Sequence, residues 1–257
     1  MNGERQTSST MIAAAILLFF FIVWELAVFS SGIQPYLLPS PSHILKTLFA
    51  NPELYVRATW FTLGEALAGL TLGVLAGVLL ASLLSLAPRL EGGVMTLAIL
   101  IKSTPMVAVA PLLTLWLGFG VLPKIIITAL LTFFPVLVNM LSGLHSTDAA
   151  LVDLFRSWHT GRWETYFHLR LPYALPYLFA ALKISAPLAL IGAVVAEWTG
   201  ASGGLGRTMW LAYTNLNLPY LFAAIFILAA AGMLAYWGLA GLEQRCVFWK
   251  GTSQDEF

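Results

Sequence analysis

Residues 60–87 read WFTLGEALAGLTLGVLAGVLLASLLSLA, with Glu65 as their only charged side chain. A helix needs about 20 mostly apolar residues to cross a bilayer, so this stretch is long enough to span a membrane. Five further stretches share this character, and they occupy residues 11–30, 94–117, 122–144, 177–199 and 219–241. The sequence therefore predicts an all-α membrane protein with six transmembrane helices in one domain, residues 1–257, with its longest connections near 31–59 and 145–176.

The composition of the whole chain agrees with this prediction. Apolar residues make up 59% of the chain and charged residues only 10%, whereas a soluble protein carries about 25% charged residues. The net charge of +1 offers no basic surface to attract nucleic acid. The one cysteine, Cys246, excludes an internal disulfide and a multi-cysteine metal site. We therefore expect a protein surrounded by lipid that binds no nucleic acid and no metal or cofactor of its own.

Positive charges near the helix ends predict the orientation, because they accumulate on the cytoplasmic side. With an inside amino terminus, the inside segments hold seven Lys and Arg residues and the outside segments hold four. Both termini are therefore expected in the cytoplasm. The alternative for residues 11–30 is a cleaved signal peptide. The inside charges are Arg5, Arg89, Arg156, Arg162, Arg170, Arg245 and Lys250, and the outside charges are Lys46, Arg57, Lys124 and Arg207.

The first outer segment contains a predicted short helix. Ser40 is a suitable N-cap and Pro41 a suitable first helical residue. We expect this helix to lie on the outer membrane surface. Its apolar face would consist of Ile44, Leu45, Leu48 and Phe49.

The cytoplasmic loop, residues 145–176, has apolar residues at helical spacing. This spacing predicts a short amphipathic helix that begins near Thr147 or Asp148. A turn is expected at Gly161, and Pro172 and Pro176 are expected to end a second short helix. The two apolar faces either pack on the inner ends of the spans or insert into a groove on another protein. They consist of Leu151, Leu154, Phe155 and Trp158, and of Trp163, Tyr166 and Phe167.

The same loop resembles a family motif, Glu-Ala-Ala-x3-Gly-x9-Ile-x-Leu-Pro. The acid of the motif falls on Asp153, its isoleucine on Leu169 and its final pair on Leu171 and Pro172. The motif is typical of permease subunits of bacterial ABC importers, in the group that handles nitrate, sulfonates, taurine and pyrimidine precursors. Three positions depart from it, with Leu154 and Phe155 in place of the alanines and His159 in place of the glycine. The resemblance extends to residues 24–26, 36–42, 107–113, 115–120, 133–135, 162–163, 175–180, 192–198 and 200–206.

The resemblance implies the type I fold of ABC importer permeases, with a cytoplasmic coupling helix near Asp148–Thr160. It also implies a permease homodimer in the bacterial inner membrane, two ATP-binding subunits on the cytoplasmic side and an external substrate-binding protein. ATP and Mg would be used by the partner ATPase, and this chain is not expected to be an enzyme, because it lacks a Gly-x4-Gly-Lys-Ser/Thr phosphate loop. Its segments look most similar to permeases for the hydroxymethylpyrimidine precursor of thiamine, with nitrate, sulfonate or taurine as alternatives.

The candidate site residues form two sets. Ser103–Met106 interrupt the third span with small polar groups and a proline, which favours a kink that lines a pore or simple helix packing. Glu197 is an ionisable residue at the outer end of the fifth span, where it either serves an outer gate or pairs locally. Glu25 and Glu65 lie near the outer ends of their helices and are expected to reach lipid headgroups, with a cavity or a partner as the alternative. The translocation set is Ser103, Thr104, Pro105, Met106, Glu197 and Trp198, and the ATPase-coupling set is Asp148, Leu151, Asp153, Leu154, Phe155, Arg156, Trp158, His159, Gly161, Leu171 and Pro172.

Two other functional classes remain open on the sequence. A secondary transporter or channel also fits six spans with a few buried acids, although it leaves the amphipathic loop unexplained. Residues 200–203, Gly-Ala-Ser-Gly, are similar to an intramembrane serine protease motif. That chemistry needs a base beside the serine, and none of the four histidines lies inside a predicted span.

Overall fold

The computed structural model describes residues 2–249, except for the side chains of residues 2–10, 13 and 14. Lys250 and the Arg5 side chain, two of the charges that predict the orientation, therefore lie outside the described residues. Within that range every regular element is helical. The elements are α1 (Asn2–Ser31), α2 (Pro41–Ala50), α3 (Pro52–Leu86), α4 (Glu91–Ser103), α5 (Met106–Leu117), α6 (Leu122–His145), α7 (Ala149–Ser157), α8 (Arg162–Thr165), α9 (Leu171–Glu197), α10 (Leu205–Thr214) and α11 (Leu218–Cys246), with a 3-10 turn at Pro88–Leu90 and a π-helical turn at Tyr166–Arg170.

Four of the six predicted spans are confirmed as helices long and apolar enough to cross a membrane. They are α3, α6, the continuous helix Arg162–Glu197 and α11. The apolar part of α1 is the shorter segment Ala15–Ser31, so a first span there stays a prediction.

The third predicted span, residues 94–117, is not one straight helix. α4 ends at Ser103, α5 begins at Met106, and the two are bent by 90°. Pro105 explains the break, because proline lacks an amide hydrogen and disfavours helical geometry in the residue before it. Thr104 is accordingly extended, with ψ of 127°.

The centre of the bundle is formed by α3, α6 and α9. Gly69, Gly73 and Gly77 lie on the side of α3 that faces α6, where an added Cβ would overlap Thr128, Thr132 or Val136. Small residues at this spacing let two helix backbones approach closely within a membrane. This stripe therefore determines how closely α3 and α6 pack.

The short helix α2 is confirmed, with Ser40 as its N-cap and Pro41 as its first residue. Ile44 is fully buried beside Tyr55 and Ala223, whereas Leu45 and Phe49 are exposed. The predicted apolar face is therefore divided between the bundle and its surroundings.

Glu25 links α1 to the start of α2. Its two carboxylate oxygens accept hydrogen bonds from the Ser42 amide at 2.9 Å and the Ser42 hydroxyl at 2.7 Å. This carboxylate therefore caps the start of α2, and contact of Glu25 with lipid headgroups stays a prediction.

Pro172 and Pro176 do not end a helix, contrary to the prediction. The chain is helical from Arg162 to Glu197 and passes through the π turn. There the Leu171 amide donates to the Tyr166 carbonyl, five residues back. The wider turn accommodates Pro172, which has no amide hydrogen to donate.

Candidate functional site

The amphipathic helix predicted in the loop at residues 145–176 is α7, and it begins where the sequence predicts. The Asp148 carboxylate accepts a hydrogen bond from the Ala150 amide at 2.9 Å, so Asp148 is the N-cap. No residue of α7 is buried. Leu154 is 43% exposed and Trp158 65% exposed, while Leu151 and Phe155 are half-buried. The apolar face is thus only partly covered by this chain.

α7 ends in a Schellman motif centred on His159. The His159 amide donates to the Arg156 carbonyl at 2.9 Å, and the Thr160 amide donates to the Phe155 carbonyl at 3.3 Å. This motif needs a left-handed residue after the C-cap, and His159 supplies it with a φ of 56°. His159 thus adopts, at the glycine position of the motif, the left-handed conformation that a glycine would adopt there.

The expected turn at Gly161 is wrong. Gly161 has an extended conformation, with φ of −71° and ψ of 162°, and serves as the N-cap of α8. An added Cβ there would meet nothing within 4 Å. The position does not require glycine, since the reversal already occurs at His159.

The remaining residues predicted to couple to an ATPase lie on both sides of this turn. Asp153 and Arg156 form an ion pair at 3.1 Å with both side chains more than 70% exposed, which contributes little to stability. Leu171 and Pro172 form the first turn of α9 and are half-buried. All eleven predicted coupling residues therefore lie at the same end of the bundle.

The predicted kink at Ser103–Met106 is the 90° break between α4 and α5. Ser103, Thr104 and Pro105 are exposed, whereas Met106 is buried. Whether these residues line a pore stays a prediction.

Glu197 lies at the opposite end of the molecule and joins three helices. It is 1% exposed and accepts hydrogen bonds from the Thr62 hydroxyl at 2.7 Å and the Gly206 amide at 2.5 Å. The Thr62 hydroxyl in turn accepts from the Leu205 amide at 2.8 Å. The carboxylate and the Thr62 hydroxyl therefore together satisfy free amides at the start of α10, which is the favoured place for a negative charge.

The neighbours of Glu197 are packed tightly around it. Gly204 has a φ of 106°, and an added Cβ there would overlap the Glu197 carboxylate. Trp198 is 39% exposed, and its ring centroid lies 6.4 Å from that of Trp210. Glu197 thus pairs locally, as one of the two alternatives predicts. A role of Glu197 in the translocation pathway stays a prediction.

Glu65 does not reach lipid headgroups, contrary to the prediction. It is 4% exposed and forms an ion pair with Lys124 at 2.5 Å. Lys124, counted above as a charge of an outer segment, lies 6% exposed in the first turn of α6. A buried pair avoids the cost of an isolated charge in hydrocarbon.

Sequence reasoning missed two features of this bundle. The glycine stripe of α3 had a readable signal in the spacing of Gly69, Gly73 and Gly77. The pairing of Glu65 with Lys124 had none, because the two residues lie 59 positions apart.

Comparisons with known proteins bear on the whole chain. Residues 69–247 match the family model described as binding-protein-dependent transport system inner membrane component. The formylaminopyrimidine transport permease protein ThiX of Halalkalibacterium halodurans is 36% identical over 91% of this chain and 93% of its own. The taurine transport system permease protein TauC of Escherichia coli is 29% identical over 98% and 93%, respectively.

Solved structures show the same fold. An inward-facing structure of the MetNI methionine ABC transporter superposes with a TM-score of 0.69 at 19% identity, over 76% of this chain and 98% of the matched chain. The resemblance seen in the sequence is confirmed by these matches. The chain belongs to the family of binding-protein-dependent transport inner membrane components, the permeases of ABC importers.

Proposed function

We propose that this chain is the membrane-spanning subunit of an ATP-driven importer. It passes a small solute from an external binding protein to the cytoplasm by alternating access. The observation that carries the proposal is α7, a short helix with apolar side chains that this chain leaves uncovered, at the position of the family's loop motif. Family membership favours this function over a secondary transporter or a protease.

α7 serves as the coupling helix of this importer. An amphipathic helix binds a partner by inserting its apolar face into a groove, and Leu154 and Trp158 are the exposed side chains on that face. The Asp148 cap and the His159 turn hold both of its ends. A rigid helix of this kind transmits motion from two ATP-binding subunits, which bind and hydrolyse ATP with Mg, to the bundle.

A second copy of the chain completes the transmembrane part. α4 has 13 residues and so rises about 20 Å at 1.5 Å per residue, which brings the break at Thr104 to the depth of the hydrocarbon. Non-helical backbone at that depth must be covered by protein or line a water-filled cavity. Because Ser103, Thr104 and Pro105 are exposed in the single chain, we infer a homodimer with these residues at the pathway between two sets of six spans.

The orientation has α7 and both termini in the cytoplasm, in the inner membrane. With Lys124 buried in an ion pair, the outer segments keep Lys46, Arg57 and Arg207 as their basic residues. The excess of positive charge on the α7 side is therefore larger than the sequence count suggests.

The proposed substrate is a pyrimidine precursor of thiamine, with nitrate, sulfonate or taurine as alternatives. Its support is the similarity to the formylaminopyrimidine permease ThiX. Uptake of labelled hydroxymethylpyrimidine by cells with and without this chain tests it. Equal uptake of labelled hydroxymethylpyrimidine with and without the chain, together with uptake of labelled taurine that depends on the chain, would contradict it.

The coupling assignment is tested with Leu154→Gln/Trp158→Gln, which changes two exposed side chains. We expect the variant to insert and to unfold at the normal temperature, but to lose co-purification with the proposed ATP-binding subunit. The matched control is Leu45→Gln/Phe49→Gln, which changes two exposed apolar residues of α2 at the other end. Normal co-purification of the α7 variant would exclude α7 as the coupling helix.

A further inference from the structure

A basic cavity lies beside α7, on the side away from Leu154 and Trp158. It has a volume of about 900 Å³ and opens between the end of α3 with its 3-10 turn and the segment from α7 to the π turn. Its walls carry four arginines, namely Arg89, Arg156, Arg162 and Arg170.

The positive charge of this cavity is not neutralised by the residues that line it. No Asp or Glu is among the lining residues of the described chain. Arg156 pairs with Asp153 outside the wall, in an exposed contact that water and salt weaken. None of the other three arginines forms an ion pair with a described carboxylate. A chain with a net charge of +1 thus concentrates its positive charge at one concave site.

Hydrogen bonds within the protein hold the walls of the cavity in place. The Arg170 guanidinium donates to the Ser85 hydroxyl at 3.3 Å. Next to it, the buried Tyr166 hydroxyl lies 2.6 Å from the Ser82 hydroxyl, which ties the π turn to α3. The Thr160 and Thr165 hydroxyls, 3.2 Å apart, line the same cavity. Guanidinium and hydroxyl groups together are the usual ligands of phosphate oxygens in proteins.

Neighbouring aromatic residues indicate the depth of the cavity in the membrane. Trp163 and Phe167 are 64% and 54% exposed, and their rings stack with centroids 6.1 Å apart. Tryptophan is enriched at the headgroup level of a bilayer, which places Trp163 most naturally at that depth. They belong to the same turns that supply Arg162, Thr165 and Arg170 to the cavity.

We propose that this cavity binds the phosphate headgroup of an anionic phospholipid of the cytoplasmic leaflet. Basic pockets at the cytoplasmic ends of helices bind such headgroups, and this one lies at headgroup depth. The inference rests on the proposed function only for the orientation of the chain. Because Arg156 and Thr160 belong to α7 and its cap, an occupying lipid contacts the helix that docks the ATPase.

The test compares lipid binding by the full chain and by Arg89→Gln/Arg162→Gln, both exposed arginines outside α7. Binding of phosphatidylglycerol, phosphatidylcholine and inorganic phosphate is measured by native mass spectrometry. The control is Arg245→Gln, an exposed arginine in the last turn of α11. Since a basic residue near an anionic surface contributes about fivefold, we expect phosphatidylglycerol binding to weaken on the order of 30-fold in the double variant and less than about fivefold in the control.

Three results would overturn the proposal. They are unchanged phosphatidylglycerol binding, an equal loss in Arg245→Gln, and saturable binding of inorganic phosphate without preference for the anionic lipid. ATPase co-purification is measured on the same samples. The first of these results, together with loss of the ATPase, would make the cavity a protein contact instead. Leu154→Gln/Trp158→Gln should keep normal lipid binding, so failure of the coupling proposal remains distinguishable.

Discussion

Gly73→Ala tests how closely α3 and α6 pack at the centre of the bundle. The new Cβ would lie 2.7 Å from the Ala129 carbonyl oxygen and would overlap the Thr132 hydroxyl. A carbon normally approaches a carbonyl oxygen no closer than about 3.3 Å, so the two backbones must separate locally by roughly 0.6 Å. Overpacking of this kind costs about 1–3 kcal/mol.

Gly64→Ala is the matched control, because it makes the same substitution in the same helix. An added Cβ at Gly64 meets nothing within 4 Å. Both variants gain the helix propensity of alanine, worth up to about 1 kcal/mol, so their difference isolates the packing cost.

Thermal unfolding of the purified protein in detergent measures this difference. With about 2–4 °C per kcal/mol for chains of this size, Gly73→Ala should unfold about 2–12 °C below Gly64→Ala. Equal unfolding temperatures would refute the close contact and, with it, the role of the glycine stripe.

Three further predictions concern individual contacts. Glu65→Gln and Lys124→Met should each lower the free energy of unfolding by about 3–5 kcal/mol, because each leaves a buried charge unpaired. The double variant should recover most of this loss in thermal unfolding, whereas additive losses would contradict the ion pair. His159→Gly should stabilise the protein by up to about 1 kcal/mol, because the left-handed conformation costs other residues about 1–2 kcal/mol and the greater unfolded-state freedom of glycine offsets part of this gain. Chemical denaturation measures the change, and destabilisation would argue against the left-handed cap. Glu197→Gln should weaken the cap of α10 by about 1.5–3 kcal/mol, since a charge-assisted hydrogen bond is lost. Both Glu197→Gln and Thr62→Val should reduce solute uptake, and uptake at the wild-type rate in both variants would exclude a role of this network in transport.

Local patterns in the sequence determined the parts of this protein whose physics is local. Spans follow from runs of apolar residues, and helix starts follow from capping side chains such as Ser40 and Asp148, which bond to amides two or three residues away. The amphipathic helix α7 and its family motif were readable for the same reason, because the relevant spacing is a few residues.

Geometry changed the local prediction wherever two patterns competed. Gly161 looked like the natural turn, but the Schellman hydrogen bonds of α7 require the left-handed residue at His159. Pro172 looked like a stop, but a π turn absorbs its missing amide. Backbone hydrogen-bond registers of this kind depend on where a helix ends, and residue type alone does not define that end.

Only the tertiary structure decided which distant groups meet. Three such meetings join segments far apart in the chain: Glu65 with Lys124, Glu197 with Thr62, and Arg89 with the other arginines of the α7 cavity. The sequence by itself determined that the few charges of this protein would be costly in a membrane. The packing of α3, α6 and α9 decided how that cost is met, because a buried charge is stabilised only by the partner that the folded bundle brings within hydrogen-bond distance.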